Sequence, residues 1–551
     1  MLILKNIYKV AVSTALAVSV LGMASCNDML DIAPSGQFGD DQLNDNSIDG
    51  LMASAYAGLE AHFFGNNEAF SGPITNWVFD VRSDDAYKGG GGVSMEGYIH
   101  QLEISNLTND NAVNLNKWRN NYYAIARVHQ AMNAINGSSL TDKTPLIAEL
   151  KLLRAYFYFD LIRVFERIPY LTENSVATEV RYDEFSREQI YGFIKDDLKF
   201  AWENLPESQA DAGRFNRYVA AALMAKVSAQ TSSWSDVVTY ADYVINSHKY
   251  ELYDNFCDMS KVEFNNKKES IMAIQFSTAN NNSHVNFCNL LNTTYSEGNL
   301  FGSGDDFFLA SQNLVNAFRT DENGLPYLDG TFNDVKVTSD YEGNVDPRLD
   351  FTVGRIGFPF RGHTYNEKWC RAYDVYGEYS GKKGLIDPSS SDMVQGFPWG
   401  ASPLNFCLIR YADILLLKAE AEIELGTNLS DARELINSVR RKAARSIDAG
   451  YSPVELDPTR ASYFVAEYPE QGWTQDYARK AVRMERRLEL AMEGQRWFDL
   501  QRWGNTVEVM NSYFESEANV RSYLSGANMT ADELFLAIPQ EEVINSGGLY
   551  E

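Results

Sequence analysis

A mainly α-helical fold, a stack of helical hairpins of the tetratricopeptide kind interrupted by a loop-rich insertion with small β elements, is predicted by three features of the sequence. Two segments repeat one pattern: an apolar helix opening on Arg-Tyr, a short polar turn, then a second amphipathic helix. Alanines crowd one face of these helices and larger apolar residues the other, which lets neighbours pack closely. Between residues of about 250 and 405 the helical periodicity fades, and asparagine, glycine and aromatic residues accumulate.

The chain opens with Lys5 and Lys9, an uncharged run from Val10 to Ala24 and a small-residue exit, the pattern of an export signal over residues 1–25. The run is shorter than the ~20 apolar residues of a membrane span, and Asn27, Asp28 and Asp31 follow it in place of a basic flank. LeuGlyMetAlaSerCys (21–26) resembles a bacterial lipoprotein box, which makes Cys26 the acylated first residue of the mature chain. Several acyl chains, at ~0.8 kcal/mol per buried CH₂, anchor stably where one is marginal. Removal of the signal takes away two lysines and no acid, moving the formal charge from −27 to −29. Such a charge argues against nucleic acid and anionic lipid as partners, since both require a basic surface. Cys257, Cys288, Cys370 and Cys407 show no CxxC spacing and no companion histidines; an oxidising compartment permits pairing, but the sequence assigns no pairs.

The first scaffold stretch, about 40–250, contains a helix over 146–165 that starts at Thr144-Pro145, and a hairpin made of 217–227, a turn at 232–235 and 238–245. The second stretch, about 405–510, repeats the hairpin with 410–421, a turn at 426–429 and 432–440, where Ser430 and Asp431 mark a helix start. Residues 479–503 read as a further helical region. In the insertion, 270–276 alternates as a strand. So long a structureless stretch is improbable inside a compact domain, so the insertion is expected to carry function.

Four blocks then stand in order: LeuLeuArgAlaTyrPheTyrPheAspLeuIleArgValPhe (152–165), AspProArgLeu (346–349), ArgTyrAlaAspIleLeuLeuLeuLysAlaGluAla (410–421) and GluArgArgLeuGluLeuAlaMetGluGlyGlnArgTrpPheAspLeuGlnArgTrpGly (485–504). With LeuPheLeuAlaIleProGlnGluGlu (534–542), they strongly resemble the SusD/RagB family from Cys26 almost to the end. The resemblance implies one SusD-like domain over 26–551, with a four-repeat tetratricopeptide-like scaffold under a variable ligand-binding face. It also implies a surface lipoprotein of the Gram-negative outer membrane. Such members act as the lid of a SusC-like TonB-dependent transporter and capture glycans, or peptides in the RagB branch, for import. The chain departs from the family at GlyGlyLeuTyrGlu (547–551), where members commonly carry a longer tail.

Catalysis is weighed against binding residue by residue. Glu485, Glu489 and Glu493 fall at i, i+4 spacing, and a glycosidase needs two carboxylates about 5–10 Å apart. Interleaved Arg486, Arg496 and Arg502 favour ionised carboxylates instead, so these charges read as an ion-pair network locking the last repeat, with Trp497, Phe498 and Trp503 as core. HExxH, GxSxG and P-loop motifs do not occur, and the glycines at 89–92 read as a flexible loop. No enzyme activity is expected.

A saccharide site needs aromatic faces for the C–H side of a pyranose and polar groups for its hydroxyls. Seven of the 22 residues from Phe358 to Tyr379 are aromatic, including Tyr365, and Arg361 lies among them. A second group holds Asn292, Tyr295, Phe301, Asp305 and Asp306, and a third is the polar run at 82–89. The family resemblance places the glycan site on the equivalents of 82–89 and 280–310. It therefore implies Asp84, Asp85 and Tyr87 for hydroxyl contacts and Tyr295 or Phe301 for stacking. For each aromatic the alternative is a minor core under a long loop. No cofactor is expected, with a structural calcium at Asp305–Asp306 left open on hard-cation chemistry alone.

Overall fold

A computed structural model describes residues 47–60, 72–282, 284–295, 300–448 and 454–550. The expected export signal over residues 1–25 and the expected lipidation position Cys26 lie outside the described residues. Helix α1 (Ile48–Ala57) packs on α4 (Ala112–Gly137), with α2 (Trp77–Val81), strand β1 (Ala86–Gly89) and α3 (Gly97–Glu103) between them in the chain. Helices α5 (Thr144–Val164), α6 (Arg187–Asn204), α7 (Arg217–Gln230) and α8 (Trp234–Ile245) follow, each packed on its predecessor. Side chains satisfy the first free backbone N–H groups: Asn111 caps α4, Ser186 closes a reciprocal box with Gln189 at α6, and Asn216 caps α7. Buried Ala220, Ala221, Ala222, Ala225 and Ala229 leave α7 slim enough to touch α6, α8 and the next helix of the stack.

That next helix is α9 (Tyr411–Leu425), and it packs directly against α8 across the sequence gap between them. Residues 246–405 therefore loop out of an otherwise continuous stack. A two-stranded ladder clamps the base of the loop: β2 (Ser270–Ile274) pairs antiparallel with β4 (Phe406–Arg410), which runs straight into α9. Strand β3 (Phe307–Ala310) reaches back to pair antiparallel with β1, Tyr87 opposite Leu309. Helix α10 (Leu429–Asp448) completes the second hairpin after Gly426, which turns at φ +67°.

The last region departs from expectation. It is not one helix but α11 (Gln475–Leu490), α12 (Arg496–Trp503) and α13 (Thr506–Glu517). The break falls where Met492 and Gly494 take φ of +61° and +71°. There the N–H of Gly494 donates to Asp80 Oδ2 at 2.6 Å, and a Cβ on it would stand 3.0 Å from the Asn76 carbonyl. The chain turns at this point to dock on α2, so Glu493 leaves the helical face that carries Glu485 and Glu489.

The ion-pair network has more distant partners than helical spacing suggests. Arg348 of the AspProArgLeu block is fully buried and meets Asp346 at 2.7 Å, Glu485 at 2.6 Å and Glu489 at 3.2 Å. Arg440 pairs with Glu485 at 2.9 Å, Lys442 with Glu489 at 2.6 Å and Glu269 at 2.8 Å, and Arg410 with Glu269, Glu489 and Glu493. With Lys383 on Glu493, five cations (Arg348, Arg410, Arg440, Lys383, Lys442) balance five carboxylates (Glu269, Asp346, Glu485, Glu489, Glu493). Balance is what makes so much buried charge tolerable. The cluster ties α10 and α11 to both ends of the insertion. Arg486 instead pairs with Asp413 and Asp499. Trp497 and Phe498 are buried core, and the four described cysteines are free thiols. Among the described residues no helix is long and apolar enough to cross a membrane.

Candidate functional site

The polar run at 82–89 folds inward, which corrects the expectation for three residues. Arg496 grips both oxygens of Asp84 at 2.8 and 2.9 Å, and Arg487 donates to Asp85 at 2.7 Å. Burial alone raises a carboxyl, but the two guanidinium groups overcome it at Asp84 and hold it down to about 2, whereas burial wins at Asp85 and raises it. Tyr87 is sealed in the β1–β3 ladder, its hydroxyl donating to Glu517 and accepting from the N–H of Gln312 at 3.0 Å. These three side chains bind α11, α12 and α13 to the sheet and are taken up by that role.

Arg361, Tyr365 and Phe301 are likewise interior. Arg361 closes on Glu455 and on the carbonyls of Leu385 and Lys382. Tyr365 stacks on Phe360 at 5.4 Å, and Phe301, Trp369 and Leu385 complete a small second core under the insertion. Asn292 is 4 % exposed and donates to the Cys288 carbonyl at 3.1 Å. A minor core is thus the correct account of these aromatics.

Tyr295 is the predicted residue that stays open, at 36 % exposure. Its N–H donates to the Trp369 carbonyl at 2.9 Å, which sets the ring at the edge of that second core. The Arg371 guanidinium lies 5.0 Å from the ring centre and pairs with Asp305, while the Arg371 N–H donates to Asp306 at 2.8 Å. Ring, guanidinium and carboxylate together offer what a sugar needs, a flat apolar face flanked by charged hydrogen-bonding groups. Arg371, on which the group turns, was not among the expected residues.

A rigid floor supports the group. The Lys88 ammonium donates to the carbonyls of Gly89, Gly92 and Met95 at 2.9, 2.9 and 2.6 Å, wrapping the glycine run around itself. Burial pulls this lysine down to about 8, against the opposing charge of Glu103. The glycines are thus tied down rather than flexible. Gly90 donates to the Asp306 carbonyl at 2.7 Å, and the Gly91 backbone passes so close to Arg371 that a Cβ would stand 3.2 Å from its Nε. Asp306 is buried with one oxygen unpartnered among the described residues, and burial pushes its carboxyl up to about 7.

Further aromatic surface flanks the group. Trp399 packs on Gly302 of the Tyr295 loop and meets Phe397 edge to face at 6.0 Å; Phe397 is 55 % exposed, and Tyr373, two residues after Arg371, is 40 % exposed. An aromatic pair around a proline at 397–399 is the signal that could have marked this flank. Among the described residues, no three His, Cys, Asp or Glu side chains stand together as metal ligands.

Comparison with known proteins agrees with this architecture. The family described as "SusD family" matches residues 268–551, and that described as "Starch-binding associating with outer membrane" matches 75–228. A SusD-like protein of Bacteroides ovatus is 26 % identical over 534 residues, covering 91 % of this chain and 84 % of the relative. Among solved structures, a SusD-like carbohydrate binding protein of Bacteroides fragilis superposes with a TM-score of 0.72 at 22 % identity, over 92 % of this chain and 98 % of that one. Surface glycan-binding protein A of Bacteroides thetaiotaomicron in complex with laminarihexaose gives 0.69 at 18 %, over 92 % and 99 %. At these identities the likeness establishes the fold.

Proposed function

The chain belongs to the SusD family, and from that premise we propose that it is a non-catalytic surface glycan-binding protein of the outer membrane. In this reading it is the lid of a SusC-like TonB-dependent transporter, held by acyl chains on Cys26 and capturing oligosaccharides for import. The observation that carries the glycan reading is the open Tyr295–Arg371–Asp305 group on its tied glycine floor. The relatives support it: solved neighbours are described as laminarin binding and as a laminarihexaose complex.

A binding role fits the carboxylates better than hydrolysis. Burial disfavours ionisation of Glu489 and Glu493, but the cations around them outweigh it and hold both carboxyls below the ordinary range. A general acid needs the opposite shift. Asp306 is raised, but its carboxyl is sealed beneath the loop. Affinity electrophoresis against a panel of neutral and acidic polysaccharides tests the reading: retardation by at least one without release of reducing ends is expected, and cleavage of a retained glycan refutes it.

The formal charge of −27 favours one alternative cargo, cationic peptides. Mass spectrometry of material trapped in the copurified transporter complex separates the two, since the glycan reading expects sugar and no peptide.

A further inference from the structure

The segment that carries Tyr295 also supplies Cys288, Asn289 and Asn292 to the wall of a separate cavity of about 100 Å³, partly open to solvent. Tyr295, Arg371, Asp305 and Trp399 take no part in it. Its charged wall groups are each paired: Lys383 and Arg410 close on Glu493, at 2.7 and 2.9 Å, Arg410 also meets Glu269 and Glu489, and Lys261 closes on Asp258 at 2.8 Å. What remains is neutral: amides, thiols and aromatic rings.

Three observations point to an occupant. The Asn292 Oδ1 atom is buried and unpartnered, while Asn289 shows no side-chain hydrogen bond among the described residues, and buried amides left so are rare. Trp77 and Phe308 lie on the wall with rings 5.3 Å apart and tilted by 30°. Phe308 also holds a φ of +54°, a region bulky residues avoid and one that concentrates at ligand sites.

We propose that this cavity is a second saccharide subsite that takes one neutral hexose unit, with Trp77 and Phe308 against its C–H face and Asn289 and Asn292 on its hydroxyls. The choice of a sugar rests on the proposed function; the site is distinct from the exposed face. Cys288 and Cys407 both line the cavity and serve as built-in reporters.

The test is the rate of iodoacetamide alkylation at each cysteine in the whole mature protein, read by peptide mass spectrometry while glucose, galactose, mannose or laminarihexaose is titrated in. At about ten times its Kd a ligand leaves roughly a tenth of the sites open, so both cavity thiols should slow about tenfold while buried Cys257 keeps its rate. Asn292→Leu should remove the protection; should it fold poorly, Asn289→Ala carries the same test, because its side chain makes no hydrogen bond among the described residues. No protection by any of the sugars overturns the proposal, as does a pair of thiols that never react in the free protein. Protection that persists in Tyr295→Ala supports it even where calorimetry finds no polysaccharide on the exposed face, and protection lost in Tyr295→Ala overturns it as a separate site.

Discussion

Replacing Glu489 by glutamine probes the buried charge network at its centre. Glu489 is fully buried and accepts from Lys442 at 2.6 Å, Arg410 at 3.1 Å and Arg348 at 3.2 Å. Glutamine keeps the shape and leaves five buried cations facing four carboxylates. Removing one partner of a buried pair costs about 3–5 kcal/mol. Unfolding entropy of ~2.1 cal/mol/K per residue, taken over the chain's length, is ~1.2 kcal/mol/K, so the melting temperature should fall by about 3–4 °C. The carboxyl lies below its ordinary range when folded, so its contribution is present above the unfolded pKa and is lost as pH falls below it. The gap between wild type and variant should therefore narrow below about pH 4, near the ordinary glutamate value. Differential scanning calorimetry at neutral and acid pH measures both effects, with Glu434→Gln, an exposed partner of Arg441, as a control expected to shift little. A fall no larger than the control's would show that the network is not the balanced lock described.

Other outcomes follow from the same geometry. Asp84→Ala strips both Arg487 and Arg496 of a buried partner and should cost about 3 kcal/mol in calorimetry, while glycan affinity of the folded protein stays unchanged; a lost affinity with unchanged melting would return Asp84 to the binding site. Asp306, raised to about 7 from 3.8, withdraws stability as pH climbs through that interval, so Asp306→Asn should stabilise by at most about 4 kcal/mol above pH 7 and by little near pH 4, as measured by melting across pH. Cys26→Ser should move the protein from the membrane fraction to the soluble one and abolish incorporation of a labelled fatty acid; persistent labelling would mean another anchor.

The hairpin scaffold was legible because its signals are local: Arg-Tyr openings, alanine faces and capping residues act within a turn or two. The break at Met492–Gly494 was not, because the carboxylate spacing runs on through a position where contact with Asn76 and Asp80 decides the backbone. Asp84 and Asp85 looked like solvent-facing acids because their partners, Arg487 and Arg496, lie some 400 residues away. The aromatic density at 358–379 did mark the insertion, but density does not tell a ring packed in a minor core, such as Tyr365, from one held at its rim, such as Tyr295. Arg371 escaped notice because only the approach of Gly91 and the Asp305–Asp306 turn gives it a place.

The central claim, that the open aromatic and guanidinium group is where glycan binds, meets its most direct test in calorimetry of wild type against Tyr295→Ala and Arg371→Ala on a polysaccharide that retards the wild type. Each loss of a ring face or a charged hydrogen bond, about 1–2 kcal/mol, should weaken binding roughly 5- to 30-fold with no change in melting temperature. Undiminished affinity in both variants would contradict the account.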